Sequence, residues 1–258
     1  YLLNDVINSS EDLEFLSALK TLSELNEFRQ GKTSSLQPIK EPKGAFSEGM
    51  RSVRTGLLLS DLLHKRKRIV VTSSIPQEGK TTISCNLAIA LGQMERVLLV
   101  DCDLRRPTAE KILGLPSKTL GLTEILAGTA VLEACIHRYE EGKIDILPVG
   151  QIPPNPGELL ASVQFARLIE VLGGRYYRIV FDSAPCQVVS DTLLLVQNAD
   201  AVVFVVKADG TTRSMVKGTV RQLRYAKAPL CGAVINAVDM ERYSKQYGGH
   251  YYDYRYYA

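Results

Sequence analysis

Short β-rich apolar runs alternate with helical stretches over most of this chain. From residue 68 onward such runs recur at 68–73, 97–101, 144–149, 179–182, 201–206 and 232–235. The segments between them, 18 to 42 residues, are long enough for helical crossovers. The pattern predicts an α/β fold, a mostly parallel sheet with helices on both faces, whose ligands bind at the carboxyl ends of the strands. Residues 1–46 follow another pattern. Phe15, Leu16, Leu19, Leu22 and Leu25 lie at helical spacing within 12–28, and the polar stretch 30–44, with Pro38 and Pro42, reads as a linker. Ser47 is placed to cap a second helix running to about residue 63, with Val53, Leu57, Leu58 and Leu62 as its apolar stripe.

The last sixteen residues break the pattern again. Tyr243, Tyr247, Tyr251, Tyr252, Tyr254, Tyr256 and Tyr257 crowd there, seven of the chain's twelve tyrosines, among Gly, Asp, Arg and Lys. With Gly248 and Gly249 interrupting it and no apolar periodicity, the segment reads as a flexible tail. The expected division is a helix and linker over 1–46, one large unit over 47–240 and the tyrosine-rich tail over 241–258.

Composition narrows the function. A chain of 258 residues with 45% apolar content can bury one full core, so a single active site is expected. The net charge of +3 comes from nearly balanced acids and bases, which argues against nucleic acid as a partner. Five cysteines, Cys85, Cys102, Cys135, Cys186 and Cys231, are scattered singly without a CxxC pair; they read as core residues of a reducing compartment, without zinc. No apolar run reaches about 18 residues, so the chain is not expected to cross a membrane by itself. It opens on Tyr1 rather than Met, as a piece of a longer protein would.

Three elements carry chemistry. The first strand of the regular pattern runs into Ser74-Ile75-Pro76-Gln77-Glu78-Gly79-Lys80-Thr81-Thr82 and then a helical stretch over 83–94. This matches GxxxxGK[ST] with Ser74 in place of the first glycine. A loop between a strand and a helix N-terminus aims successive backbone N–H groups at phosphate oxygens. Lys80 would neutralise β- and γ-phosphates, the Thr81 hydroxyl would ligate Mg²⁺, and Gly79 allows close backbone approach. The second strand ends in Asp101-Cys102-Asp103-Leu104-Arg105, with Asp101 and Asp103 on the same side. Two carboxylates there can hold hydrated Mg²⁺ or accept a proton from an attacking hydroxyl. The plainer alternative is a strand end capping the next helix, with Arg105 or Arg106 as ion-pair partners. The fourth run closes on Asp182, followed by Ser183-Ala184-Pro185, as expected of an aspartate orienting the Mg²⁺ shell.

Together these three elements resemble the Walker A, A′ and B motifs of the bacterial tyrosine kinases, the BY-kinases, over roughly residues 47–258. The resemblance implies a P-loop NTPase fold of the MinD/ParA kind, with ATP and Mg²⁺ as cofactors. It implies catalytic roles for Lys80, Asp101, Asp103 and Asp182, Mg²⁺ ligation by Thr81 and those aspartates, and an adenine-binding role for Asn236. Glu48-Gly49-Met50-Arg51-Ser52-Val53-Arg54 matches the family's ExxRxxR pattern, which in relatives holds neighbouring subunits in a ring. The tyrosine cluster stands where the family is autophosphorylated. The implied activity is an ATP-dependent tyrosine autokinase whose tail is modified in trans within a ring of copies. It would regulate exopolysaccharide or capsule polymerisation and export at the cytoplasmic face of the bacterial inner membrane. Implied partners are a membrane-spanning polysaccharide co-polymerase part, fused or separate, and a tyrosine phosphatase.

The departures bear on that reading. The MinD/ParA signature lysine would fall at Ile75 and is missing, which favours a kinase over an ATPase switch using water as acceptor. Arg106-Pro107-Thr108 occupies the stretch where some relatives carry a regulatory tyrosine, and 1–46 lacks the expected short Pro-containing strand. Plain alternatives remain: Glu48 and Arg51 as an exposed intrahelical pair, the basic run 64–68 as a solvated face, and the whole as a non-catalytic nucleotide-binding scaffold.

Overall fold

The apolar runs are strands because both of their faces are covered, which is also why they read as near-continuous Val, Ile and Leu. The computed structural model describes residues 5–27, 36–60, 67–116 and 119–239. In chain order these form α1 (Ser10–Ser17), β1 (Thr21–Asn26), α2 (Gln37–Lys40), α3 (Ala45–Ser60), β2 (Arg68–Ser73), α4 (Lys80–Gly92), β3 (Val97–Asp101), α5 (Ala109–Ile112), α6 (Leu122–Leu126), α7 (Leu132–Cys135), β4 (His137–Tyr139), β5 (Ile144–Leu147), α8 (Pro156–Leu160), α9 (Val163–Arg175), β6 (Arg178–Asp182), α10 (Asp191–Leu195), β7 (Ala201–Lys207), α11 (Arg213–Tyr225) and β8 (Leu230–Val238). One eight-stranded sheet runs in the order β1-β8-β7-β2-β6-β3-β5-β4. All neighbours are parallel except β4 and β5.

On one face α4 packs on the sheet with α3 beside it over β1, and α4 is buried nearly all round from Ile83 to Gly92. On the other face Phe165, Leu168, Ile169 and Leu172 of α9 pack on Leu98, Val100 and Phe181. Burying side chains of this kind stabilises the fold by about 1.5–3 kcal/mol each. A third apolar cluster joins Ile7 and Leu13 to Val216 and Val220 of α11 and to Phe204 and Ile235 of the sheet. Among the described residues no helix is long and apolar enough to cross a membrane.

Two expectations about the N-terminal region are corrected. The helix expected over 12–28 is instead α1 followed by the edge strand β1, paired parallel with β8. Ala18 breaks the helix in a left-handed conformation, φ 53°, its N–H closing on the Glu14 carbonyl. The chain then turns, and Leu25 packs so tightly on α3 that a Cβ at Gly49 would lie 2.4 Å from it. A short strand therefore does precede the main unit, though without proline. Ser47 does not cap α3: it is buried within the first turn and donates to the Glu41 carbonyl (2.7 Å). Leu62 of the expected apolar stripe, residues 64–66 of the basic run and the tyrosine-rich tail lie outside the described residues. Arg68, the last of that basic run, is an internal partner of Asp200 (2.9 Å) rather than a solvated charge.

Candidate active site

Four parallel strands deliver the site at their carboxyl ends. β6 lies between β2 and β3, which sets Asp182 directly beside Asp101 in register and one strand from the loop that follows β2. That loop, 74–79, is shaped by two left-handed residues, Gln77 (φ 67°) and Gly79 (φ 92°). Left-handed residues interleaved with right-handed ones gather successive N–H groups on one side, the geometry of an anion nest. Gly79 is required twice over, because a Cβ there would also lie 2.1 Å from the Asn236 amide nitrogen.

Lys80, the first residue of α4, has its ammonium 2.8 Å from Asp103 Oδ2 and 3.4 Å from Thr81 Oγ1. Both members of the pair are largely buried, 11% and 6% exposed. Burial alone would lower the Lys80 pKa, but Asp182, Asp103 and Asp101 outweigh it and hold the ammonium above its ordinary range. Thr81 accepts a hydrogen bond from the Thr108 hydroxyl (3.0 Å). Asp103 Oδ1 accepts from the Arg106 amide (3.1 Å), which fixes the carboxylate so that its other oxygen faces Lys80.

The remaining aspartates differ in what they have left to offer. Both oxygens of Asp101 are taken by backbone amides, those of Asp103 (3.0 Å) and Ala109 (3.2 Å), so it caps the following turn. Burial and the adjacent Asp182 push its pKa up to about 8. Asp182 Oδ1 accepts from Ser84 (2.9 Å), while Oδ2 is buried and has no hydrogen-bond partner among the described residues. Burial raises the Asp182 pKa too, against the opposing pull of Lys80 and of the Thr81 and Ser84 hydroxyls. A buried carboxylate oxygen without a donor is costly unless a cation or proton reaches it. Asp182 and Thr81 thus fit a Mg²⁺ site completed by water, while each oxygen of Asp101 already accepts from one backbone amide.

The plainer alternatives for the arginines are in part met. Arg105 pairs with Asp191 (2.7 Å) and not with a strand-end aspartate. Arg51 is bound to Glu48 within α3 and to the Pro42 carbonyl (2.8 Å); Arg54 donates to Ala90, at the end of α4 (3.0 Å). Asn236 donates to the Glu78 carbonyl (3.0 Å), bracing the loop from β8. Pro76 and Gln77 are exposed at the loop's tip, and Thr82 accepts from the Asn86 side chain through its carbonyl (2.7 Å).

Several groups that shape the site give little sequence signal. Ser84 and Thr108 hold Asp182 and Thr81 from positions outside the motifs. Thr211 and Thr219 reach the loop from the far side of the sheet order, binding Glu78 and Ser74. Only Ser84, one helical turn after Lys80, could have been picked out by its place in α4.

Residues 69–251 match the family model described as the CobQ/CobB/MinD/ParA nucleotide binding domain. The tyrosine-protein kinase YwqD of Bacillus subtilis (strain 168) is 34% identical over 209 residues, covering 81% of this chain and 87% of that protein. The tyrosine-protein kinase wzc of Salmonella typhimurium is 30% identical over 240 residues, 93% of this chain but only 33% of its own length. The crystal structure of the chimerical protein CapA2B2 superposes with a TM-score of 0.83 at 33% identity, covering 88% of this chain and 98% of that one. A phosphate loop feeding α4, strand-end aspartates on β3 and β6, and relatives named as kinases agree, and the chain belongs to the bacterial tyrosine-protein kinases, on a P-loop nucleotide-binding fold.

Proposed function

We propose that this domain transfers the γ-phosphoryl group of ATP to tyrosine hydroxyls of its own tail, with Asp103 as the base. The observation that carries the reading is the Lys80–Asp103 pair, which sets a carboxylate 2.8 Å from the phosphate-binding ammonium at the mouth of the loop. The amides of 74–82 and Lys80 hold the phosphates, and Asn236 keeps the loop in place. Thr81 and Asp182 would hold Mg²⁺, which offsets charge on the transferring group when bound. The tyrosine oxygen attacks the γ-phosphorus, its proton passes to Asp103, and the bond to the β-phosphate oxygen breaks to leave ADP. A phenol pKa near 10 makes such a base useful.

The acceptors are Tyr243, Tyr247, Tyr251, Tyr252, Tyr254, Tyr256 and Tyr257, presented by a neighbouring copy. Glu48, Arg51 and Arg54 assemble the ring, and accumulated phosphotyrosine charge drives it apart. The domain is proposed to act at the cytoplasmic face of the inner membrane. There it would regulate polysaccharide polymerisation with a membrane-spanning co-polymerase part, reset by a phosphatase. We take 47–240 as the catalytic unit and 241–258 as the tail.

The test is intact-mass spectrometry before and after Mg-ATP, beside Lys80→Met. Phosphate additions mapping to 243–257 in wild type alone support the kinase. An unmodified tail despite ATP hydrolysis would move the reading to a MinD/ParA-like switch. Arg51→Ala with Arg54→Ala is expected to leave nucleotide binding intact while lowering tail labelling.

A further inference from the structure

The N-terminal segment and the phosphate loop grip the same turn, residues 207–213 between β7 and α11, from two sides. On the loop's side, Glu78 is buried, 1% exposed, with Oε2 accepting from the Ile75 amide (2.7 Å) and Oε1 accepting from the Thr211 hydroxyl. Thr211 Oγ1 also accepts from the Lys207 amide (3.0 Å), so this hydroxyl is fixed between the turn and the loop. A second tie runs from Thr219 of α11 to the Ser74 hydroxyl (2.8 Å). On the other side, the Thr211 carbonyl accepts from the Ile7 amide (2.9 Å), and Asp209 donates back to the Ile7 carbonyl (3.0 Å). Arg213 donates its amide to Asp5 (2.7 Å) and its guanidinium to Asp12 (2.6 Å). Ile7 itself is fully buried against Ala208 and Val216.

Glu78 is a carboxylate inside a loop built for anions. Left loose, it would repel phosphate and compete for the loop's own amides. Held by Thr211, it is spent on Ile75 and organises the loop from within.

We propose that Glu78 and Thr211 are positioning residues for the phosphate loop, and that residues 5–17 act on nucleotide binding through them. This rests on reading 74–82 as the nucleotide loop. Whatever pulls on the N-terminal segment alters the Ile7–Thr211 bonds first, then the hold on Glu78, then the loop.

The experiment is amide hydrogen exchange of the nucleotide-free chain, with Mg-ADP affinity measured in parallel. A net hydrogen bond of ordinary strength corresponds to about five-fold in local opening, so Thr211→Val should speed exchange over 74–79 by about that factor. Thr211→Ser should restore it, which a loss of packing alone would not allow. Ile7→Ala should speed the same peptide while 97–101 stays protected, and both faster variants should bind Mg-ADP more weakly. Unchanged loop exchange in Thr211→Val overturns the positioning role. Faster exchange confined to 5–17 and 207–213 in Ile7→Ala overturns the N-terminal input. A wild type that fails to bind Mg-ADP overturns the nucleotide reading itself, a result distinct from either.

Discussion

Replacing Lys80 by Met removes the ammonium that, among the described residues, faces Asp101, Asp103 and Asp182, while keeping most of the side chain's apolar stem. Breaking a buried ion pair by deleting one partner costs about 3–5 kcal/mol, because the other charge stays behind. The cluster can escape part of that cost by taking up a proton. Protonating an ordinary carboxylate at pH 7 costs about 4 kcal/mol at 1.36 kcal/mol per pKa unit, which sets the ceiling. Lys80→Met should therefore lower the unfolding free energy by about 3–4 kcal/mol at pH 7. The folded variant then binds one proton more than the folded wild type, so the deficit should shrink by about 1.4 kcal/mol per unit as pH falls. At pH 5.5 the deficit should be about 1–2 kcal/mol. Urea denaturation of nucleotide-free wild type and variant at both pH values measures this, and adding Asp103→Asn to Lys80→Met should recover most of the loss. A deficit under about 1 kcal/mol, or one that does not change with pH, would refute the view of Lys80 as the counter-charge of this cluster.

Other consequences follow from the same geometry. Gly79→Ala forces a positive φ on an L-residue and drives its Cβ into Asn236, so it should cost more than about 1–2 kcal/mol and weaken Mg-ADP binding; thermal melting with and without nucleotide reports both. Leu25→Ala should destabilise by about 2–5 kcal/mol in chemical denaturation, as a core position does, whereas a linker residue would cost nothing measurable. Asp101 is pushed up to about 8 by burial and Asp182, so the fold binds its proton more tightly than the unfolded chain does. That contribution is complete below about pH 4 and is lost as pH rises toward 8, so Asp101→Asn should gain on wild type in denaturation between pH 6 and pH 8. A constant difference between them would remove the proton from Asp101.

The sheet was legible because its central strands are buried on both faces. Residues 68–73 and 97–101 were read to the residue, since apolar runs fill their buried middles, 69–71 and 97–100. β1 was not, and the reason is physical: an edge strand is paired on one side only, and Leu22 and Leu25 continue a spacing of three begun at Leu16. What overrides that spacing is tertiary, the left-handed turn at Ala18 and the docking of Leu25 on Gly49. β4 is three residues long and carries no alternation that a local reading could use. In the site, sequence placed Lys80, Asp101, Asp103 and Asp182 together because each lies at or just past the carboxyl end of a strand, or opens the helix that follows. It could not tell the three aspartates apart, because spacing does not show which oxygens a backbone amide will reach.

Those partners also impose an order on the proposed reaction. Asp103 Oδ2 is held by Lys80 at 2.8 Å, so that oxygen is not open to a tyrosine hydroxyl. Lys80, the first residue of α4, can turn from Asp103 toward a phosphate without leaving the loop. Asp103 Oδ2 is then left free to accept from a tyrosine hydroxyl when the phosphoryl donor is in place. Asp101 differs, since its two oxygens are already engaged by the amides of Asp103 and Ala109. On this view the base is exposed by the donor's arrival, and a tyrosine that enters before ATP meets a carboxylate still occupied by Lys80.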